Sequence, residues 1–290
     1  MTAPVTARFL AIPLLWLLMG TASAASEGAS ALIEKHAGLR EALANNIFRS
    51  PVILESREGA NSISGDVYAE IRKPFAQAVP ALEQPAAWCE ILFLHMNTKY
   101  CRSTPGAPAT LDVAIGKKHD QPVEDAYRMR LVFAVAARSD DYMRITMTAV
   151  QGPFSTRDYR IAFEAVPLDE GRSFIHLSYA YGYGLPSKLA AQAYLGTIGS
   201  RKVGFTVAGR QPDGTPRYIG GIRGVVERNT MRYYLAIESY LGALDAPPQA
   251  RLEKSLRSWY AATERFPRQL RELEQGEYLD MKRREHARQS

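Results

Sequence analysis

Residues 127–183 read YRMRLVFAVAARSDDYMRITMTAVQGPFSTRDYRIAFEAVPLDEGRSFIHLSYAYGY. Four short strands follow one another here, each with one apolar face. Tyr127, Met129, Leu131, Phe133 and Val135 alternate with Arg128 and Arg130, and Met143, Ile145, Met147 and Ala149 alternate with Arg144, Thr146 and Thr148. Tyr159, Ile161 and Phe163 alternate with Arg160 and Glu164, and Ile175, Leu177, Tyr179, Tyr181 and Tyr183 with His176 and Ser178. A period of two buries one face and wets the other, which predicts an antiparallel sheet. The inner face, rich in Met, Phe and Tyr, is a soft wall that a helix can fill or an apolar ligand can occupy.

On the N-terminal side, Leu32, Ile33, Leu39, Leu43 and Ile47 have helical spacing and predict a helix over 29–47, ended by Asn45-Asn46 and Pro51. Val52–Glu58 and Ile63–Arg72 read as strands around the turn Gly59-Ala60-Asn61. Phe75–Leu82 reads as a helix with Phe75, Val79 and Leu82 on one face and Pro80 within it. Ile91–Met96 and Leu111–Ile115 read as further strands.

On the C-terminal side, residues 185–226 carry a short helix from Pro186-Ser187 to Leu195. A Gly-rich run with Val203, Phe205 and Val207 follows, the pattern of a mobile hairpin or flap. Asn229–Leu244 is the strongest helical pattern, with Tyr234, Ile237, Leu241 and Leu244 in a stripe and Asp245-Ala246-Pro247-Pro248 as its stop. Two charged amphipathic helices complete the chain. The first buries Leu252, Leu256, Trp259, Thr263 and Phe266; the second starts at Pro267 and is expected to fray past Met281.

The ends and the composition narrow the function. Arg8, the apolar run Phe9–Met19 and Ala22-Ser23-Ala24 make a cleavable signal peptide, cut after Ala24, so a periplasmic or secreted protein is expected. The apolar run is short of the roughly 20 residues a membrane span needs. In an exported chain the two cysteines, Cys89 and Cys101, are read as a disulfide. A redox pair lacks C-x-x-C spacing, and a zinc site would have only His95 as a further ligand nearby. The formal net charge is +6, and the basic excess lies in 199–234. Arg201, Lys202, Arg210, Arg217 and Arg223 are the candidate contacts for anionic lipid or another anion, beside the plainer reading as solvated surface. Nucleic acid does not fit an exported protein.

The order of strand pair, short helices ending in a Trp, antiparallel strands and one long helix resembles the START-like superfamily (SRPBCC, Bet v 1-like, helix-grip). The resemblance rests on Gly65–Arg72 with Lys73-Pro74-Phe75, on Ala87-Trp88-Cys89-Glu90, on Gly152–Tyr159 with Pro167–Tyr179, and on Asn229–Leu244. It implies an α+β helix-grip fold, a curved antiparallel sheet wrapped around a long C-terminal helix. The expected division is 1–24 signal peptide, 25–48 N-terminal helix, 49–244 helix-grip domain with a Gly-rich insertion at 185–226, and 245–290 charged helical extension. It also implies an apolar cavity between sheet and helix, suited to a lipid, sterol, quinone or similar molecule.

Phe133, Met147, Phe163, Tyr179, Tyr181 and Tyr234 are the candidate cavity residues, with plain core packing as the alternative. No cofactor is expected and no metal or catalytic set is assigned: Walker loop, nucleophile elbow and His-Glu-x-x-His are absent from the sequence. An enzyme on this fold (a cyclase, isomerase or hydrolase) would need two or more of His95, Asp112, His176 and Glu238 in one pocket. His36 and His286 are expected on exposed helices, and Arg144 facing outward or meeting a headgroup. A third reading makes the helices after Pro248 a docking element for another protein.

Overall fold

The computed structural model describes residues 16–184 and 202–289. Its centre is one eight-stranded antiparallel sheet: β1 (Val52–Glu58), β2 (Ser62–Ile71), β3 (Thr98–Thr104), β4 (Ala109–Ile115), β5 (Tyr127–Arg138), β6 (Met143–Gln151), β7 (Arg157–Pro167) and β8 (Ser173–Gly182). The order across the sheet is β1-β2-β8-β7-β6-β5-β4-β3. Strand β8 returns to pair with β2, Ile63 opposite Tyr181 and Val67 opposite Leu177, which keeps the apolar residues of both strands on one face.

Against that face lies α4 (Gly221–Ala243), while α2 (Phe75–Leu82) and α3 (Pro85–Leu94) connect β2 to β3. This is the helix-grip arrangement, an α+β fold. Gly65 explains how closely α4 approaches β2, since a Cβ there would sit 2.3 Å from the Thr230 hydroxyl. Thr230 turns that hydroxyl back to the Val226 carbonyl at 2.8 Å, so the buried polar atom is satisfied within the helix.

Helix α4 starts at Gly221, eight residues before the expected cap at Asn229. The apolar stripe extends backward through Val226, and Glu227 ties this extra turn to the segment before it. Its fully buried carboxylate accepts from the Phe205 and Thr206 amides at 2.6 and 2.9 Å, from Thr206 Oγ1 at 2.6 Å and from Ser56 Oγ at 2.5 Å. The Gly-rich run then holds a small hairpin of β9 (Val207–Arg210) and β10 (Pro216–Tyr218). The expected short helix from Pro186 lies outside the described residues.

Two strand expectations are corrected. Residues 91–96 are not a strand: Ile91–Leu94 end α3, which opens with Pro85 at its first turn. That helix is buried on nearly every side, so its sequence has no helical period to read. Strand β3 had no apolar alternation and was not expected; pairing with β4 and a disulfide from Cys101 to Cys89 of α3 hold it in place.

Helix α1 (Trp16–Ala44) begins well before residue 29 and runs through the expected cut after Ala24. Residues 1–15, with Arg8, lie outside the described residues. The helix crosses the outer face of the sheet, where Ala25, Ala29, Leu32 and Leu43 pack with Tyr142, Val166 and Phe174 in a second, smaller core. His36 is therefore not free on an exposed helix: it meets Glu70 at 2.8 Å and packs on Phe174. No helix among the described residues is long and apolar enough to cross a membrane.

The chain after Pro247 forms α5 (Pro248–Glu264), α6 (Pro267–Leu270) and α7 (Gln275–Ala287). These helices belong to the main core, to which they contribute Leu256, Trp259, Tyr260, Tyr278, Leu279 and Met281. The expected fraying past Met281 does not occur, because Lys282 and Glu285 are fully buried against β3.

Candidate functional site

A cleft of about 1020 Å³ opens where the end of β2, the last turns of α4, the end of α5 and the α1–β1 loop meet. Three local features build it. Ile71 and Lys73 come from the end of β2, where Pro74 stops the strand. Tyr234, Glu238, Leu241 and Gly242 come from one face of α4 at helical spacing. Phe48 and Arg49 come from the α1–β1 loop, which Asn46 clamps.

The Asn46 amide donates to the carbonyls of Ala42, Leu43 and Ser50 at 2.9, 3.0 and 2.9 Å, and its carbonyl accepts from the Phe48 amide at 2.9 Å. One side chain thus both ends α1 and fixes the loop. Phe48 is pressed into an aromatic trio with Phe205 at 5.5 Å and Phe266 at 5.8 Å, and Arg49 is left in the left-handed region at φ 51°.

The walls are apolar and the rim is basic. Five basic and two acidic side chains line the cleft. Lys73 pairs with Asp245 at 2.7 Å; Glu70 is held by Arg172 and His36 at 2.7 and 2.8 Å. Among the described residues Arg265 donates only to the Ser50 hydroxyl, at 3.2 Å, and it packs over Phe266. Glu238 accepts from the Tyr234 hydroxyl at 3.3 Å. Burial holds the Glu238 carboxyl above its ordinary range, against the opposite pull of Arg265, Tyr234 and Arg72.

Of the six candidate cavity residues only Tyr234 reaches this cleft. Phe133, Met147, Phe163, Tyr179 and Tyr181 are buried core. Trp88 of α3 meets Phe163 edge-on at 5.6 Å, and Tyr159, Tyr179, Tyr181 and Tyr233 fill the space between sheet and helix with rings 5.2 to 6.2 Å apart. The signal that could have found the cleft is the polar pair on the α4 stripe, Tyr234 and Glu238, one turn apart on an otherwise apolar face.

The four candidate acid–base residues are dispersed. Asp112 lies on the outer face with Arg130 at 2.7 Å. His176 lies on the outer face between Asp66 and Glu164, 2.9 Å from each. His95 is fully buried, and burial, with Arg232 and Lys282 nearby, pushes its imidazole well down. Only Glu238 reaches the cleft. Arg144 points outward, 3.5 Å from Glu164. No group of three or more metal-ligating side chains occurs among the described residues.

The candidate anion contacts differ in their local partners. Arg201 lies outside the described residues. Lys202 is half-buried, donating to the Arg271 carbonyl and lying 3.7 Å from Glu272, and Arg223 donates to Ser56 Oγ at 3.0 Å. Arg210 and Arg217 stand exposed on the β9–β10 hairpin. The Cys89–Cys101 disulfide is present, with Cα atoms 5.2 Å apart.

No family model and no curated protein matches the chain. Among solved structures it is similar to a conserved protein from Geobacillus kaustophilus, at 9% identity over 62% of this chain and 95% of that one, with a TM-score of 0.36. It is also similar to norcoclaurine synthase from Thalictrum flavum in complex with dopamine and hydroxybenzaldehyde (11% identity, 51% and 82% covered, TM-score 0.34). A third likeness is to Ara h 8.0201 (12% identity, 66% and 99% covered, TM-score 0.35). Likeness at this level says nothing about what this chain binds or does.

Proposed function

We propose that this chain is an exported binding or carrier protein for an apolar or amphipathic small molecule, of the lipid, sterol or quinone kind, held in the cleft beside α4. The observation that carries the reading is the cleft itself, whose walls include Phe48, Ile71, Leu241 and Phe266. Its volume is at the upper end of ligand pockets, which run from about 300 to 1,000 Å³. Removing an apolar body from water there contributes roughly 25 cal/mol per Å². The clamped loop favours binding, because a wall already ordered loses little freedom when a ligand arrives. Export, with cleavage after Ala24 into a periplasm, is part of the same proposal and rests on the sequence.

The test is native mass spectrometry of the full chain purified from a bacterial periplasm, followed by organic extraction. A carried molecule at one per chain is expected. A protein that arrives empty, and stays empty after incubation with a total lipid extract, would overturn the reading.

A further inference from the structure

We infer that the cleft selects an amphipathic acid, a molecule with an apolar body and one carboxylate or phosphate group, and that Arg72, Arg265 and Arg49 receive the anionic end. The inference rests on the binding role proposed above and narrows it to a ligand class.

The charge balance leads there. Of the basic groups in the cleft, Lys73 and Arg172 are already matched by Asp245 and by Glu70 with Asp169. The side chains of Arg49 and Arg72 have no ion pair or hydrogen bond among the described residues, and the Arg265 guanidinium hydrogen-bonds there only to a neutral hydroxyl. The one acid left beside them among the described residues is Glu238, which accepts from the Tyr234 hydroxyl at 3.3 Å and whose carboxyl burial holds above its ordinary range against the pull of Arg265, Tyr234 and Arg72. Three guanidinium groups around an apolar-walled cleft thus face a single carboxyl, an excess of positive charge.

Guanidinium is suited to this. Its planar fork offers two parallel N–H donors to a carboxylate or phosphate and is more weakly hydrated than an ammonium. Arg265 is further held by Phe266, over which it lies at 5.3 Å, and by Ser50. Arg49 sits in a left-handed backbone conformation, disfavoured for a non-glycine residue. The Asn46 clamp maintains it there. Strain of this kind, imposed by a dedicated side chain, is a feature of ligand clamps.

The experiment is displacement of a neutral fluorescent probe, N-phenyl-1-naphthylamine, from the full chain by dodecanoate, dodecyl phosphate and dodecanol. At least one acid is expected to compete roughly tenfold to a hundredfold better than the alcohol, the gain of one or two charge-assisted bonds. The stronger of the two acids identifies the headgroup. In Arg72→Gln/Arg265→Gln the preference should collapse toward unity, with the melting point and dodecanol displacement reporting that the cleft is still formed. Arg49→Gln, at the exposed rim, gives a second variant should the double one misfold, and is expected to weaken the preference. Equal affinity for acid and alcohol in the wild type, or a preference that survives the Arg substitutions, would overturn the inference and leave the apolar-binding role standing. Failure of the probe and all three competitors to bind would overturn both.

Discussion

Lys99 of β3 and Glu285 of α7 meet at 2.7 Å with both side chains completely buried. Lys282, one turn before Glu285, reaches the other carboxylate oxygen at 2.7 Å, so one acid serves two interior lysines. Backbone carbonyls complete the shell: Met96 and His119 accept from Lys99 at 3.0 Å, and Thr98 from Lys282 at 2.6 Å. Burial still pulls the Lys282 ammonium down to about 8. This junction locks the last helix to the edge strand.

Glu285→Gln should therefore be severely destabilising. It leaves two buried ammonium groups with no counter-charge, a loss of about 3–5 kcal/mol for a broken buried pair. Replacing all three residues by apolar ones of similar size should recover most of that loss. Urea unfolding at neutral pH compares the variants; a Glu285→Gln midpoint equal to wild type would contradict this account.

The outer face has its own pH dependence. Burial pulls the His176 imidazole down, but the hydrogen bonds it donates to Asp66 and Glu164 outweigh it and leave the net shift upward from 6.5. Burial pushes the two carboxyls up, and the His176 contact brings both below their ordinary 3.8 and 4.5. A raised histidine stabilises below its unfolded value and loses that contribution as pH rises through the folded one. Lowered carboxyls stabilise above their unfolded values and lose it as pH falls. The network is thus strongest between about pH 4.5 and 6.5. The melting-point loss in His176→Asn should be larger near pH 5.5 than near pH 8.5; the reverse order would refute the assignment.

Gly28 decides how α1 lies on the sheet. A Cβ at this position would sit 2.5 Å from the Tyr142 ring, whose hydroxyl donates to Glu164. Gly28→Val should lift α1 at a cost of about 1–3 kcal/mol. Hydrogen exchange is expected to quicken in α1 while β6–β8 stay protected. Unchanged exchange in α1 would show that the helix docks without needing this contact.

Gly242 offers a way to fill the cleft without disturbing the fold. It lines the cleft, and an added Cβ meets nothing within 4 Å. Gly242→Leu should gain up to about 1 kcal/mol of helix propensity while occupying ligand space. The expected result is an equal or higher melting point with weakened displacement of an apolar probe. Full retention of binding would place the ligand elsewhere.

Removing the disulfide should cost stability without changing the fold. The bridge closes a loop between residues twelve apart, and a loop of this size contributes about 3 kcal/mol in the chain-entropy account. Cys89→Ser/Cys101→Ser should lower the unfolding midpoint accordingly while retaining the circular dichroism spectrum. An unchanged midpoint would mean that β3 is held by its pairing with β4 and its junction with α7 without help from the bridge.

The strands of the sheet and the stripe of α4 were legible because alternation and helical spacing are local consequences of burying one face. The runs 127–135, 143–149, 159–163 and 175–182 carry that period in the chain itself and lie in strands of the sheet, although Tyr127 and Val135, at the ends of the first run, are exposed rather than buried. Helix α3 was not legible, since burial on nearly all sides erases the period, and β3 was not, since its sequence, TKYCRST, has no apolar alternation. The interior aromatics read equally well as cavity wall or as packing; which they are depended on Trp88, Tyr159 and Tyr233 arriving from other elements to fill the space. The cleft joins Asn46, Arg72, Glu238 and Arg265, residues with no common local pattern. Their convergence, and the charge they leave unmatched, arises only when α1, β2, α4 and α5 end at the same corner of the fold.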